Sequence, residues 1–530
     1  MNILGAGGLD HNGSLTFSKS HRLVSFLEAE RPTRKKNVGL KDEETLDLLL
    51  RCLSIEEVDR IGVADQAFWR IQRPRLEPAL TKRFSAPIDV WHHHDCHVAS
   101  GLIASPWDRA LCVSIDGKGD DLSAMAAVVS RERGVEERLI EIPSANSIGR
   151  LWWAVSEFCG FPGHHSAGKT MALAAYGEPF DLFESVSSYH SNGTFSFRAP
   201  DDHPDTFREV SRIHDWIVAS VSRCGRDPES CRADVAASLQ DLTTRAVSHL
   251  VQVAVHETGL HQVCLAGGVA LNGVTNQHLL HSGIVDELFV VPCCDDRGLS
   301  LGAAALSAAK VGEPIAPTTK TFSPYLGPTP LPTKPSGWTP RAGSWDEAAR
   351  QIVAGAIVAL FAGRDEVGPR ALGHRSLVAS PTRPEMRTRL NQMKRRESFR
   401  PFGCAVDARH ASKWFATSGD APFMLRIATA TAEGQRVLPA ALHVDGTSRL
   451  QTVRPDDSSS FWPLLDALEQ RGHPRALLNT SLNGPGEPMA HSVNDAADIA
   501  SRLGADFLLI DGVLLEASSS GSASSTPTQG

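Results

Sequence analysis

Gln262-Val263-Cys264-Leu265-Ala266, followed at once by Gly267-Gly268-Val269-Ala270-Leu271-Asn272-Gly273, reads as a short apolar strand, a glycine pair and the start of a helix. Glycines let backbone amides come close to a phosphate or a purine, and a helix N-terminus favours negative charge. A second strand-like run, Ala110–Ile115, is also closed by a glycine-containing turn. Such alternation of β-branched runs with amphipathic stretches predicts an α/β domain. The glycine pair is neither a P-loop nor a GxGxxG fingerprint, so alone it supports a nucleotide site weakly. Gly163–Thr170 does fit GxxxxGKT, but the preceding Phe158-Cys159-Gly160-Phe161 is a poor buried strand.

Working outward, 530 residues exceed one ordinary domain, so two or more cores are expected. Between Gly312 and Arg341 lie Pro314, Pro317, Pro324, Pro328, Pro330, Pro332, Pro335 and Pro340. Proline at that density fixes φ and removes amide donors, which argues against regular structure and marks a domain boundary. The expected division is 1–320, a linker 321–344, a second α/β domain 345–517 and a disordered tail 518–530. Hydrophobic residues make up 42% of the chain and charged ones 22%, a globular balance. A net charge of −8 gives no general attraction to nucleic acid or an anionic membrane. No long apolar run predicts a membrane span. The opening MNILGAGGLDHNGSL lacks a basic stretch and apolar core, and the ten cysteines include no CxxC pair, so a cytoplasmic, thiol-reduced protein is expected. A homodimer is the default for such a protein.

His92, His93, His94 and His97 place four histidines within six positions. On a helix His93 and His97 share one face a turn apart, a spacing that suits a divalent ion and equally a polar helix start. A further ligand has to come from elsewhere, and the Asp-rich turns Asp116–Asp121 and Asp295–Gly298 are candidates, although Asp and Gly also make ordinary turns. In the second half, arginines stand beside glycine, proline and aromatics: Gly368–Arg375 with Arg370 and Arg375, then Lys394–Arg400. Guanidinium groups so placed suit a small dianion. A solvated helix face, or contact with RNA, remains an open alternative for Lys394–Arg400.

Taken in order, these segments resemble the O-carbamoyltransferase family of antibiotic and nodulation-factor biosynthesis over nearly the whole chain. The first half carries GLDHNGS, Glu30–Lys36, HHxxH, IDGKGD, GKTMALAAYG, DVAASLQ, AGGVALN and DDRGLSLGAA. The second half carries GRDEVGPRALGHRS, NQMKRRESFRPF, HVDGTSRLQTV and LLNTSLNGPGEP. The resemblance implies an actin/sugar-kinase-type ATP domain, related to the enzyme that threonylcarbamoylates tRNA, followed by a YrdC-like domain. It implies a metal, Fe2+ or alternatively Mg2+, on His93, His97, Asp116 and Asp296. It implies ATP near Lys36, Lys169, Asp234, Gly267, Gly268 and Asn272. Carbamoyl phosphate would contact Arg370, Lys394, Arg400, Met424, Arg449 and Asn479, with Lys394 and Arg449 in catalytic roles. Carbamate released there would become carbamoyl adenylate, and His11 would deprotonate the hydroxyl or amine of a small natural product. The family motif usually reads His-Asp-Ala-Ser, whereas this chain has His11-Asn12-Gly13-Ser14. Competing expectations are a tRNA- or hydrogenase-maturation-type carbamoyltransferase, a sugar kinase, and a non-catalytic actin-like protein.

Overall fold

The computed structural model describes residues 1–198, 206–316, 322–417 and 419–518. The tail after 518, expected to be disordered, lies outside them. The protein is mixed α/β. One five-stranded sheet runs in the order Arg22–Glu28, Ser14–Lys19, Asn2–Gly7, Arg60–Val63, Ile88–Val90. A second runs Glu287–Val290, Gln262–Ala266, Arg109–Gly119, Leu122–Ser130, Gly134–Pro143. Both mix parallel and antiparallel pairs: Asn2–Gly7 pairs parallel with Arg60–Val63, and Gln262–Ala266 parallel with Arg109–Gly119. A ten-stranded sheet gathers every strand from Trp338 to Ala517.

Helix Leu299–Lys310 is wedged between the first sheet and helix His93–Ala104, and glycine makes the fit possible. A Cβ on Gly5 would stand 1.9 Å from the Ser300 carbonyl oxygen, and one on Gly302 would stand 1.8 Å from that of Cys96. Close approach of these backbones holds the starts of both helices side by side, which matters for the site below. Helix Arg232–Thr258 buries Val235, Leu239, Leu242, Ala246, Leu250 and Ala254 at helical spacing, and ends at Gly259 in the left-handed region with φ 66°.

The proline-rich connector is packed in part: Tyr325, Leu326 and Trp338 are buried, whereas residues 331–334 are exposed. Tyr325 is buried, donates from its hydroxyl to Leu372 O at 2.9 Å and stacks on His374. Trp338–Pro340, where irregular backbone was expected, adds an edge strand against Val513–Ala517. The three-residue length and edge position accommodate Pro340, whose missing donor costs nothing on the free side. Val367, Leu372, Phe423, Met424 and Leu425 of the second half belong to the same apolar core as the first half. Among the described residues, no helix is long and apolar enough to cross a membrane.

Polar contacts also cross the seam. Arg34 donates to Pro488 O at 3.0 Å, and Asn276 donates to Leu425 O at 2.8 Å. His491 bonds Asp365 at 3.0 Å. Burial alone would lower His491, but the bonds to Asp365 and Cys52 outweigh it and push it up to about 9.

Two predictions follow from this packing. Gly302→Ala should lose about 2 kcal/mol or more of stability in denaturant unfolding; Gly168→Ala, whose Cβ meets nothing within 4 Å, should lose none. His491 gains its proton affinity on folding, so its stabilisation is complete below the ordinary imidazole range and fades as pH rises through about 9. The difference in Tm between wild type and His491→Asn should therefore shrink from pH 7 to pH 10, roughly the span of that titration.

Candidate active site

Strand Ile88–Val90 feeds directly into helix His93–Ala104, capped by His92. His93 and His97 consequently project from the first turns toward the end of the neighbouring strand Arg109–Gly119, where Asp116 sits. The short turn Asp296–Gly298, just ahead of helix Leu299–Lys310, supplies Asp296. One donor atom from each of His93, His97, Asp116 and Asp296 lies within 4.8 Å of all the others. His97 Nε2 is 3.0 Å from Asp116 Oδ2 and 3.5 Å from Asp296 Oδ1. His93 Nε2 is 3.3 Å and 3.6 Å from the same two atoms. An ion with bonds of about 2.1 Å separates its ligand atoms by roughly 3 Å to 4 Å, so the spacing and the N2O2 donor set both fit a divalent cation.

The orientation of His93 is fixed from behind. Its Nδ1 makes a short bond to Asp65 Oδ1, leaving Nε2 for the cluster. Its backbone N–H donates to Asp120 at 2.9 Å. Asp116 is held well below the usual carboxylate range: burial opposes its charge, and the bonds to His93 and His97 overcome that. Asp296 goes the other way, raised by burial and by the nearby Asp116 charge. Two carboxylates this close repel when both are charged, and protonated His93 and His97 or a cation between them would relieve that repulsion. The other histidines turn away, His94 to Ser114 Oγ at 2.7 Å and His92 to Asp121 at 2.9 Å. Asp65 was missed by the sequence reading, although a carboxylate just beyond the end of strand Arg60–Val63 was a usable signal.

At the mouth, His11 is 39% exposed and its Nδ1 is 3.5 Å from Asp296 Oδ2. Asn12 takes φ 55°, a left-handed conformation that asparagine tolerates well. The glycine pair borders the same site. Gly267, at φ 85°, donates to Cys294 O at 2.6 Å, and a Cβ on Gly268 would stand 3.0 Å from Asp116 Oδ1. Asn272 caps helix Gly273–His281 and donates to Gln240 at 2.9 Å. Asp234 is engaged by Glu178 N at 3.0 Å and Arg226 at 2.8 Å. Lys169 pairs with Glu397 across the seam at 2.8 Å. Lys36 is lowered by desolvation, and its charge also lowers Lys394.

In the second half, Gly368 at φ 87° allows the bend before Arg370 to touch the Pro292 carbonyl, where a Cβ would stand 2.1 Å away. Burial holds Arg449 well below its ordinary value, and Arg370, Arg400 and Arg396 add repulsion. Arg370 is likewise lowered, by burial first and Arg400 among its charged neighbours. Among the described residues, neither Arg370 nor Arg449 forms an ion pair. Lys394 is lowered well below the lysine range by burial, then by Arg396 and Arg400, and donates to Ser481 O at 2.6 Å and Asn483 O at 2.7 Å. Asn479 donates to Ala371 O at 2.8 Å and Gln451 at 2.9 Å. Met424, at φ 57°, lays its thioether over Gly403. Arg375, read from sequence as part of the anion bend, is instead fully buried beside Asp365, with its guanidinium donating to the carbonyls of Ala362, Gly363, His374 and Ala490. A cavity of about 600 Å³ lies on the seam, its wall running from Met171, Gln240 and His278 to Phe402, His443 and Arg449.

Residues 66–305 match the family described as Carbamoyltransferase N-terminus, and residues 349–517 match Carbamoyltransferase C-terminus. The chain is 35% identical to nodulation protein NolO of Bradyrhizobium diazoefficiens, over 76% of this chain and 75% of that protein. It is 27% identical to 3'-hydroxymethylcephem-O-carbamoyltransferase of Amycolatopsis lactamdurans, over 92% of this chain and 94% of that enzyme. It is also similar to full-length HypF in its phosphate- and nucleotide-bound form, with a TM-score of 0.41 and 15% identity over 60% of this chain and 56% of that one. The chain belongs to the carbamoyltransferase family, and it is a carbamoyltransferase enzyme.

Because Asp65 fixes the imidazole of His93, Asp65→Ala should weaken the affinity of this cluster for an added divalent cation by about 10- to 100-fold in a titration, with the circular dichroism spectrum unchanged.

Proposed function

We propose that the protein transfers the carbamoyl group of carbamoyl phosphate, through carbamoyl adenylate made from ATP, to a hydroxyl or amine of a small natural product. Residues 345–517 would break carbamoyl phosphate and residues 1–320 would carry the transfer. The observation that carries this reading is the crowding of Arg370, Arg400 and Arg449 against one another at the seam, with repulsion that a bound dianion would relieve.

Arg370, Arg400 and Arg449 bind the phosphate group, and Lys394, held by Ser481 and Asn483, steadies the wall of that site. Asn479 and the Met424 thioether flank the carbamoyl end. Hydrolysis of carbamoyl phosphate leaves carbamate and inorganic phosphate. Carbamate decomposes in open water, so a closed route along the seam excludes that loss. A carbamate oxygen then attacks the α-phosphorus of ATP and pyrophosphate departs. Lys36 and Lys169 offer charge to the phosphates, the Gly267–Gly268 backbone allows close approach, and Asn272 and Asp234 shape the nucleotide's surroundings. A divalent cation, Fe2+ or Mg2+, held by His93, His97, Asp116 and Asp296 would neutralise charge on phosphate and carbamoyl oxygens. His11 takes the proton of the acceptor as that oxygen or nitrogen attacks the carbamoyl carbon and AMP leaves. Imidazole suits that role because an unprotonated ring nitrogen can accept the proton.

Purified enzyme given ATP, divalent metal and carbamoyl phosphate should form AMP and pyrophosphate. Arg449→Ala and His93→Ala should each lower that rate by about 100-fold or more, of the order of losing a transition-state contact. ADP in place of AMP would point to a kinase and end the proposal.

A further inference from the structure

Glu397 occupies an unusual position between the halves. Its Oε1 is 2.8 Å from Lys169 Nζ in the first half. Its Oε2 is 3.4 Å from Arg400 Nη1 in its own half. The turn that carries Glu397 is held on every side. Buried Asn391 donates to Ser398 O at 3.2 Å and Arg400 O at 3.1 Å. The Phe399 ring rests between Phe161 and Tyr176, at 5.9 Å and 6.2 Å, and its carbonyl bonds His443 at 3.2 Å. Lys169 also lies over the Phe161 ring at 5.5 Å. With its backbone clamped, the carboxylate retains one freedom, namely how it divides itself between the two cations.

On the reading above, each of those cations serves a different phosphate: Lys169 that of the nucleotide, Arg400 that of carbamoyl phosphate. We infer that Glu397 makes the two anion sites antagonistic, because a phosphate that takes one cation hands the carboxylate to the other. Glu397 is a positioning residue and touches neither substrate. Its effect has a direction useful to the reaction. Inorganic phosphate left after carbamoyl phosphate cleavage is held by Arg400, and arrival of ATP at Lys169 shifts Glu397 onto Arg400 and loosens that phosphate. Departure of the first product is thereby tied to the start of the second step. By linkage the same antagonism weakens nucleotide binding while phosphate is present.

The test is a calorimetric titration of the full-length protein with inorganic phosphate, with and without a non-hydrolysable ATP analogue. In wild type the analogue should raise the phosphate Kd about three- to fivefold, the scale of a partly exposed ion pair. In Glu397→Gln each ligand alone should bind more tightly and the ratio should collapse. Glu397→Asp, which keeps the charge but shortens the reach, should lose the ratio too, and serves if the glutamine variant fails to fold. A ratio near one in wild type overturns the inference, as does an equally large ratio in either variant, since simple repulsion between two anions would survive there. A wild-type protein that binds neither phosphate nor the analogue defeats the functional reading itself.

Discussion

A buried knot of charge underlies the rest of the molecule. Arg31 and Arg297 are almost wholly enclosed, with Glu28, Glu30 and Asp295 around them. Glu28 accepts from Gly368 N at 2.6 Å, and Arg31 donates to Glu366 O and Gly368 O. Burial pushes Glu28 up to about 7, against the pull of Arg31 and Arg297, whereas Glu30 is drawn down to about 2 because Arg297 and Lys36 overcome its burial. Removing one partner would strand a buried charge, which is far costlier than losing an exposed pair. This knot fixes the turn bearing Asp296 and the bend bearing Arg370 by the same few atoms. The cation cluster and the four-donor cluster are therefore registered to each other through side chains that take part in no chemistry.

The glycine bend at 368 shows how this registration is achieved. Its left-handed backbone, pressed on the Pro292 carbonyl, brings the bend of one half onto the turn of the other. Repulsion among Arg370, Arg396, Arg400 and Arg449 is tolerated because the surrounding framework is neutralised elsewhere. Arg375 with Asp365 and Arg475 with Asp407 are buried pairs of that kind. Among the described residues, Arg400 alone of those four has a carboxylate partner, Glu397.

Much of this was legible in the chain itself. Strand-then-glycine segments gave the α/β class, and the spacing of His93 and His97 on one helical face gave half of the four-donor cluster. Asp296 over its neighbour came from the family motif; Asp295 instead turns onto Arg297. What the sequence withheld were relations made only by folding. Asp65 joins through a contact with His93 across 28 positions, Arg375 turns inward although it shares a segment with Arg370, and Glu397 looks like one more charge in a basic run. The proline-rich stretch is, among its described residues, irregular as read apart from Trp338–Pro340; what proline density does not report is that Tyr325 and Trp338 anchor it by packing.

The apolar core that crosses from Val367 and Phe423 into the first half has an implication for how such enzymes can change over time. Two parts that share one core cannot be traded between relatives as independent cassettes, because each would carry a face shaped for its original neighbour. The partly exposed side chain of His11 lies outside that shared core, although its backbone is bridged to Val38. On the proposed function, a change of acceptor would fall on side chains at that rim, around a centre inherited whole.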